Sequence, residues 1–287
     1  MKDNSILDTL IEIALKEDLG DAGDITSNFF IDNNSLSNGT IIAKENCVIA
    51  GSEIAESVFK RLDPNIEVKV ELTSGSIAST GDVIISLSGK SCSILSAERI
   101  ALNFLQRLSG IATITKKYVE AVKETNAKIL DTRKTTPGWR VLEKMAVKSG
   151  GGLNHRMGLF DMAMLKDNHL TNESDPRSLQ QKINAFKKQF PEMRLEVEAD
   201  TLEQVNEFIK MEGVDVILLD NMALNEISEA VSLRREAIKF EASGGINLDT
   251  VIQYAETGVD FISVGALTHS AVSVDLSLEL ETLYSKR

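Results

Sequence analysis

Six short apolar segments constrain this chain more than any other feature. They end near Thr132, Lys166, Glu198, Asp220, Ser243 and Gly265, and a stretch with helical periodicity follows each. Successive ends lie about 20 to 35 residues apart, the length of one strand-plus-helix unit. Six such units in series predict a parallel sheet closed or nearly closed into a barrel, with an open doubly wound sheet as the alternative. Arg133, Lys134, Lys166, Glu198, Asp220 and the Ser243-Gly244-Gly245 turn all fall at or just past the carboxyl end of a strand. In a barrel those ends converge on one mouth, where this architecture carries its chemistry. Polar residues kept only for solubility would scatter over both ends.

The first 110 residues follow another rhythm. Ile6, Leu7, Leu10, Ile11, Ala14 and Leu15 recur at helical spacing, while Ile66, Val68, Val70 and Leu72 alternate with Glu67, Lys69 and Glu71 as in a strand with one wet face. Further strands are expected within 40–50 and over 83–87. A long helix is expected over 94–108, with Ile94, Ala97, Ala101, Leu105 and Leu108 at helical spacing. This organisation gives an N-terminal α+β domain over 1–110 and a barrel domain over 111–287, with a C-terminal tail able to pack back on the first domain. Asp18, Asp21 and Asp24, among Gly20 and Gly23, do not match a calcium loop; a polar turn with Asp24 or Thr26 capping a helix is expected.

Composition removes several classes. A chain of 287 residues, 43% of them apolar, can bury a core without a disulfide or metal staple. Cys47 and Cys92 form no CxxC pair and read as inert thiols of a reducing compartment. The apolar runs are too short for a membrane span and the N-terminus leads into an amphipathic pattern, so a cytoplasmic location is expected. A net charge of −12 argues against general nucleic-acid binding.

Against that acidic background one island is basic. From Asp131 to His169 seven Lys/Arg (Arg133, Lys134, Arg140, Lys144, Lys148, Arg156, Lys166) face four acids, which suggests a pocket for a highly anionic small ligand. Arg suits planar carboxylates through its fork and Lys supplies a point charge suited to phosphate. Arg133 and Lys134 are adjacent and would point to opposite sides in extended chain. The Gly150-Gly151-Gly152 run either lets backbone N–H groups approach an anion or caps a helix after Lys148. Glu198 and Asp220 sit inside a basic region. They read as ligands of Mg²⁺ or of ribose hydroxyls, or as structural ion pairs with Lys134 or Lys166. Ser243-Gly244-Gly245 and Val264-Gly265-Ala266 resemble the phosphate grip that barrels build after late strands. No Walker A or GxGxxG sequence is present. His155 and His169 stand too far in sequence from other ligand types to read as a zinc site.

The motifs Glu17-Asp-Leu-Gly-Asp-Ala-Gly-Asp-Ile-Thr-Ser27, Ala97-Glu-Arg-Ile-Ala-Leu-Asn-Phe104, Asp131-Thr-Arg-Lys-Thr-Thr-Pro-Gly138, Gly150-Gly-Gly-Leu-Asn-His-Arg156, Leu218-Leu-Asp-Asn221, Glu241-Ala-Ser-Gly-Gly-Ile246 and Val264-Gly-Ala-Leu-Thr-His269 span almost the whole chain. Through them the sequence resembles the quinolinate phosphoribosyltransferase family. The resemblance implies an α/β fold, an N-terminal open-faced sandwich followed by an incomplete TIM-like barrel, assembled at least as a homodimer. It implies phosphoribosyl transfer from phosphoribosyl pyrophosphate (PRPP) to quinolinate with loss of CO₂, using Mg²⁺. Carried over by motif, Thr132, Arg133, His155, Arg156 and Lys166 would surround quinolinate, with Arg99 of the partner subunit joining them. Lys134, Lys166, Glu198, Asp220, Ser243, Gly244, Gly245, Val264, Gly265, Ala266 and His269 would hold PRPP. Lys134, Glu198 and Asp220 would serve the chemistry, and Glu198 and Asp220 would hold Mg²⁺ directly or through water.

Overall fold

A computed structural model describes residues 3–170, 175–235 and 238–283. The chain divides into two compact units, one made of residues 1–116, 137–151 and 271–287, the other of 117–136 and 152–270.

The first unit opens with α1 (Asp3–Leu19) and α2 (Ile25–Phe30). Asp24 caps α2, its carboxylate accepting the Ser27 backbone N–H at 2.9 Å; the expected capping role therefore holds. There follow β1 (Leu36–Ala43), β2 (Cys47–Val48), α3 (Ser52–Leu62), β3 (Glu67–Val70), β4 (Ile77–Ala78), β5 (Val83–Lys90) and α4 (Ser91–Ala121). β1, β5 and β3 form an antiparallel sheet, and α3 buries Ile54, Ala55, Val58 and Phe59, one side of an amphipathic helix. The helix expected over 94–108 is longer, and Gly110 lies inside it. Its anchors are as the periodicity predicts: Ile94, Ala97, Ala101, Leu105 and Leu108 are fully buried. Each of the larger ones contributes about 1.5–3 kcal/mol.

In the second unit come β6 (Lys128–Leu130), β7 (Ala163–Leu165), β8 (Leu195–Ala199), β9 (Val216–Asp220), β10 (Lys239–Ser243) and β11 (Phe261–Ser263). They form one parallel sheet ordered β6-β11-β10-β9-β8-β7. Apart from the displaced β6, the strands neighbour one another in chain order, as in a β/α barrel left unclosed between β6 and β7. Side chains alternate along them, with Val216 and Leu218 as apolar members of the otherwise polar face. Val197, Ile217, Leu219, Phe240, Ala242 and Ile262 are completely buried on one face, whereas Glu196, Glu198, Asp220, Glu241, Ser243 and Ser263 occupy the alternate positions. One face is a dry core; the other is a buried polar interior. Helices α7 (Pro176–Gln189), α8 (Leu202–Phe208), α9 (Leu224–Ser232) and α10 (Val251–Glu256) bury Leu179, Ile183, Val205, Phe208, Ile227, Ala230, Val251 and Ala255. Two four-residue helices, α6 (Asp167–Leu170) and α11 (Ala266–His269), follow β7 and β11 directly.

Between β6 and β7 the chain makes α5 (Arg140–Ser149), which by its contacts belongs to the first unit. Gly150 and Gly151 have structural work there. Gly151 ends α5 with φ +88°, and a Cβ on Gly150 would lie 2.4 Å from the Ala112 carbonyl oxygen. The last strand, β12 (Leu276–Leu283), also returns to the first unit, pairing antiparallel with β1 from Leu36↔Leu283 to Ala43↔Leu276. Cys47 is buried and Cys92 half-buried, both as free thiols, and burial pushes the Cys47 thiol up to about 11. Among the described residues no helix is long and apolar enough to cross a membrane.

Candidate active site

A cavity of about 260 Å³ opens at the carboxyl ends of the second unit's strands, lined by Thr132, Arg133, Lys134, His155, Arg156, Met164, Lys166, Glu198, Leu218, Asp220, Glu241, Ser243 and Ser263. β6 stops at Leu130, and Arg133 and Lys134 just beyond it both line the cavity. The Thr132 hydroxyl accepts the Lys134 N–H at 3.1 Å, and the Lys134 carbonyl accepts the Thr268 hydroxyl at 2.9 Å. These bonds fix the turn that aims the two cations.

The segment carrying His155 and Arg156 is docked beside β6. Leu153 N–H donates to Ile129 O at 2.8 Å, Asp131 N–H to Leu153 O at 3.1 Å, and His155 N–H to the buried Asp131 carboxylate at 2.9 Å. Arg156 donates to the Met162 carbonyl at 3.1 Å. Burial, and after it the nearby Arg133 charge, lowers the Arg156 pKa. Lys166 is ion-paired with Glu198, so one of the structural pairs foreseen for that carboxylate is present. Asp220 accepts a hydrogen bond from Asn221 Nδ2 at 2.8 Å. Asn221 itself has φ +54°, and a Cβ on Gly244 (φ +104°) would fall 2.1 Å from its Oδ1, so only glycine fits that turn.

Other expected residues stand beside the cavity without lining it. Gly244, Gly245, Val264, Gly265 and Ala266 form the two late-strand turns. A Cβ on Gly265 would lie 3.0 Å from Lys134 Cδ and 3.2 Å from the His269 ring, so this glycine leaves room for both. Exposed His269 hydrogen-bonds Ser270 at 2.6 Å. Arg99 is exposed on α4 in the first unit. The basic island also contracts: Arg140, Lys144 and Lys148 lie on α5, where Lys144 is buried and Glu143 pairs with Arg107 at 3.2 Å. Four cations, not seven, line the cavity.

One cluster was not anticipated. His155 Nε2 lies 2.9 Å from Glu196 Oε2 and 3.6 Å from Glu241 Oε1, and Ser263 hydrogen-bonds Glu241. Burial raises both carboxyls, each to about 8. Isolation of His155 along the chain is thus no isolation in space. The period-two spacing of Glu196 and Glu198 placed both on one strand face, but nothing in the sequence tied that face to Glu241 on another strand. A larger cleft of about 550 Å³ contains Arg234 and Lys239, but it opens at the amino ends of the strands and both cations are bonded to Asp260.

An unclosed parallel β/α barrel whose strand ends gather four cations and three carboxyl groups is built like the enzymes that carry their chemistry at that face. Comparison with known proteins narrows the class. The family model for the quinolinate phosphoribosyl transferase N-terminal domain matches residues 24–109, and that for the C-terminal domain matches residues 111–279. The chain therefore belongs to the quinolinate phosphoribosyltransferase family. It is 39% identical to tobacco (Nicotiana tabacum) quinolinate phosphoribosyltransferase [decarboxylating] 1b over 95% of this chain and 82% of the relative. It is 41% identical to the probable nicotinate-nucleotide pyrophosphorylase [carboxylating] of Bacillus subtilis, over 92% and 90%. The solved nicotinate-nucleotide pyrophosphorylase of Francisella tularensis superposes with a TM-score of 0.90 at 37% identity, covering 97% of each chain.

Proposed function

We propose that this chain transfers the phosphoribosyl group of PRPP to the ring nitrogen of quinolinate and releases pyrophosphate, CO₂ and nicotinate mononucleotide, a step of NAD biosynthesis. The observation that carries the reading is the convergence of Arg133, Lys134, Arg156 and Lys166 on one cavity, in a chain of this family. Two carboxylates on an aromatic ring and a pyrophosphorylated sugar bring many negative charges together, and four cations lining one cavity offset them.

Arg133 and Arg156 suit the two ring carboxylates as planar forks, with His155 and Lys166 beside them and Arg99 of the partner subunit completing the acceptor site in a homodimer. Lys134, held over Gly265, faces the phosphoribosyl donor, with the Ser243–Gly245 and Val264–Ala266 turns offering backbone N–H groups. As the sugar C1–O bond breaks, positive charge develops on the ribose, and Glu198 and Asp220 stabilise it. The pyridine nitrogen is already nucleophilic, so this step requires no general base. Mg²⁺ takes oxygen ligands, commonly one or two carboxylates plus substrate phosphates, and Asp220 with Glu198 supplies that donor set. Bound there, directly or through water, the ion adds positive charge beside the leaving pyrophosphate. A cytoplasmic enzyme fits this substrate pair.

The test is pyrophosphate release. Purified protein with PRPP, Mg²⁺ and quinolinate should release pyrophosphate, and omission of quinolinate or addition of a chelator should stop it. Release that ignores quinolinate would refute the assignment.

A further inference from the structure

We propose that the His155–Glu241 pair on the cavity floor delivers the proton that replaces CO₂ at the ring carbon. The inference rests on the phosphoribosyl-transfer reading above and concerns its second half. Transfer to the ring nitrogen needs no proton, because the nitrogen lone pair displaces pyrophosphate. Decarboxylation does need one. When the bond from ring carbon 2 to its carboxylate breaks, CO₂ leaves and the electron pair stays on that carbon, stabilised by the adjacent N⁺. The carbon must then gain a proton to become the C–H of the product.

The other cavity cations serve less well, Lys134 because it is on the phosphoribosyl-donor side in the reading above. Arg133 and Arg156 carry guanidinium groups, which do not give up protons in proteins. Lys166 is committed to Glu198. The His155 side chain is only 8% exposed, and its Nε2 faces carboxylate oxygens of Glu196 at 2.9 Å and Glu241 at 3.6 Å. The three donor atoms lie within 4.8 Å of one another. An imidazole and two carboxylates pack this closely in dry space only with protons shared among them. Glu241 is completely buried, and burial holds its carboxyl near 8, on the protonated side of neutrality. The remaining neighbours keep the cluster in place: Ser263 bonds Glu241, Asp131 accepts the His155 backbone N–H, and Arg156 follows in the chain. Glu196 Oε1 makes no hydrogen bond among the described residues although it is buried, an arrangement that costs about 1–3 kcal/mol and that packing alone does not require. Of the cluster, His155 and Glu241 line the cavity and Glu196 stands behind them.

The step balances. One proton passes from the pair to carbon 2, the pair is left one proton poorer, and solvent restores it after CO₂ and nucleotide depart. Nothing is oxidised or reduced.

Single-turnover quench experiments with excess enzyme, PRPP, Mg²⁺ and quinolinate labelled in its 2-carboxylate separate the two halves. In wild type, transfer to D₂O should slow nicotinate mononucleotide formation about 2-fold or more and leave the pyrophosphate burst unchanged. In Glu241→Gln the pyrophosphate burst should persist, whereas nicotinate mononucleotide should lag by about 100-fold or more, with phosphoribosylated quinolinate accumulating. Pyrophosphate and nucleotide appearing in step in Glu241→Gln would overturn the proposal. So would a wild-type product step indifferent to D₂O, a result that needs no variant to fold. A wild type that releases no quinolinate-dependent pyrophosphate would instead remove the phosphoribosyl-transfer reading, and the proton step with it.

Discussion

Replacing Glu241 by Gln should make the protein less sensitive to alkaline pH. The side chain is 2% exposed in the barrel interior, and burial, with repulsion from Glu196 next, lifts its carboxyl from 4.5 to about 8. The folded protein therefore keeps a proton that the unfolded chain has lost, and across that window the native state binds more protons. Stability consequently falls as pH rises from about 4.5 to about 8 and levels off above it. A shift of that size has a ceiling of roughly 5 kcal/mol, and sharing of protons with His155 and Glu196 reduces it to roughly 2–4. Gln keeps the shape, can still accept the Ser263 hydroxyl, and never ionises. Thermal unfolding followed by circular dichroism should place variant and wild type within about 1 kcal/mol at pH 4.5, where neither state of the wild type has yet lost most of its protons. At pH 9 the variant should melt roughly 5–10 °C higher. A difference between the two proteins that stays constant from pH 4.5 to pH 9 would refute the reasoning.

Three further outcomes follow from the site. Lys134→Ala removes one charge-assisted contact to the bound phosphoribosyl donor and should cost about 2–4 kcal/mol of transition-state stabilisation, roughly 30- to 1000-fold in turnover, with an unchanged melting temperature; steady-state kinetics and a melt check both parts. Gly244→Ala would force a Cβ to within 2.1 Å of Asn221 Oδ1 and 2.9 Å of its backbone nitrogen, at φ +104°. That turn should shift, raising KM for PRPP more than for quinolinate, and equal effects on both would count against a donor-side role. If Arg99 of the partner subunit completes each site, inactive Arg99→Ala and Arg133→Ala proteins should recover activity when mixed as verified heterodimers; no recovery would argue for sites built within one subunit.

The strand ends are legible in the sequence because period and polarity coincide there. A parallel strand buried on both faces still alternates when one face is a polar interior, so Glu198 and Asp220 stand out from apolar neighbours. α4 is legible for a similar reason: Ile94 to Leu108 keep a helical period over four turns. What sequence spacing misses is lateral adjacency. Glu196, Glu241 and His155 come from two strands and a loop, and no local pattern announces that they meet. Charge counting misleads in the same way. Arg140, Lys144 and Lys148 belong to the basic island by position, but α5 carries them to the first unit, where Lys144 is buried. The glycine run after Lys148 admitted two readings, and the close approach of Gly150 to the Ala112 carbonyl gives it a packing role.

The account turns on the acceptor and on the fate of its second carboxylate. The most direct test incubates the protein with PRPP and Mg²⁺ and either quinolinate labelled at the 2-carboxylate or nicotinate, and identifies the products. Nicotinate mononucleotide with one labelled CO₂ per nucleotide from quinolinate, and no nucleotide from nicotinate, is the predicted result. Nucleotide formed from nicotinate, or from quinolinate with both carboxylates retained, would contradict it.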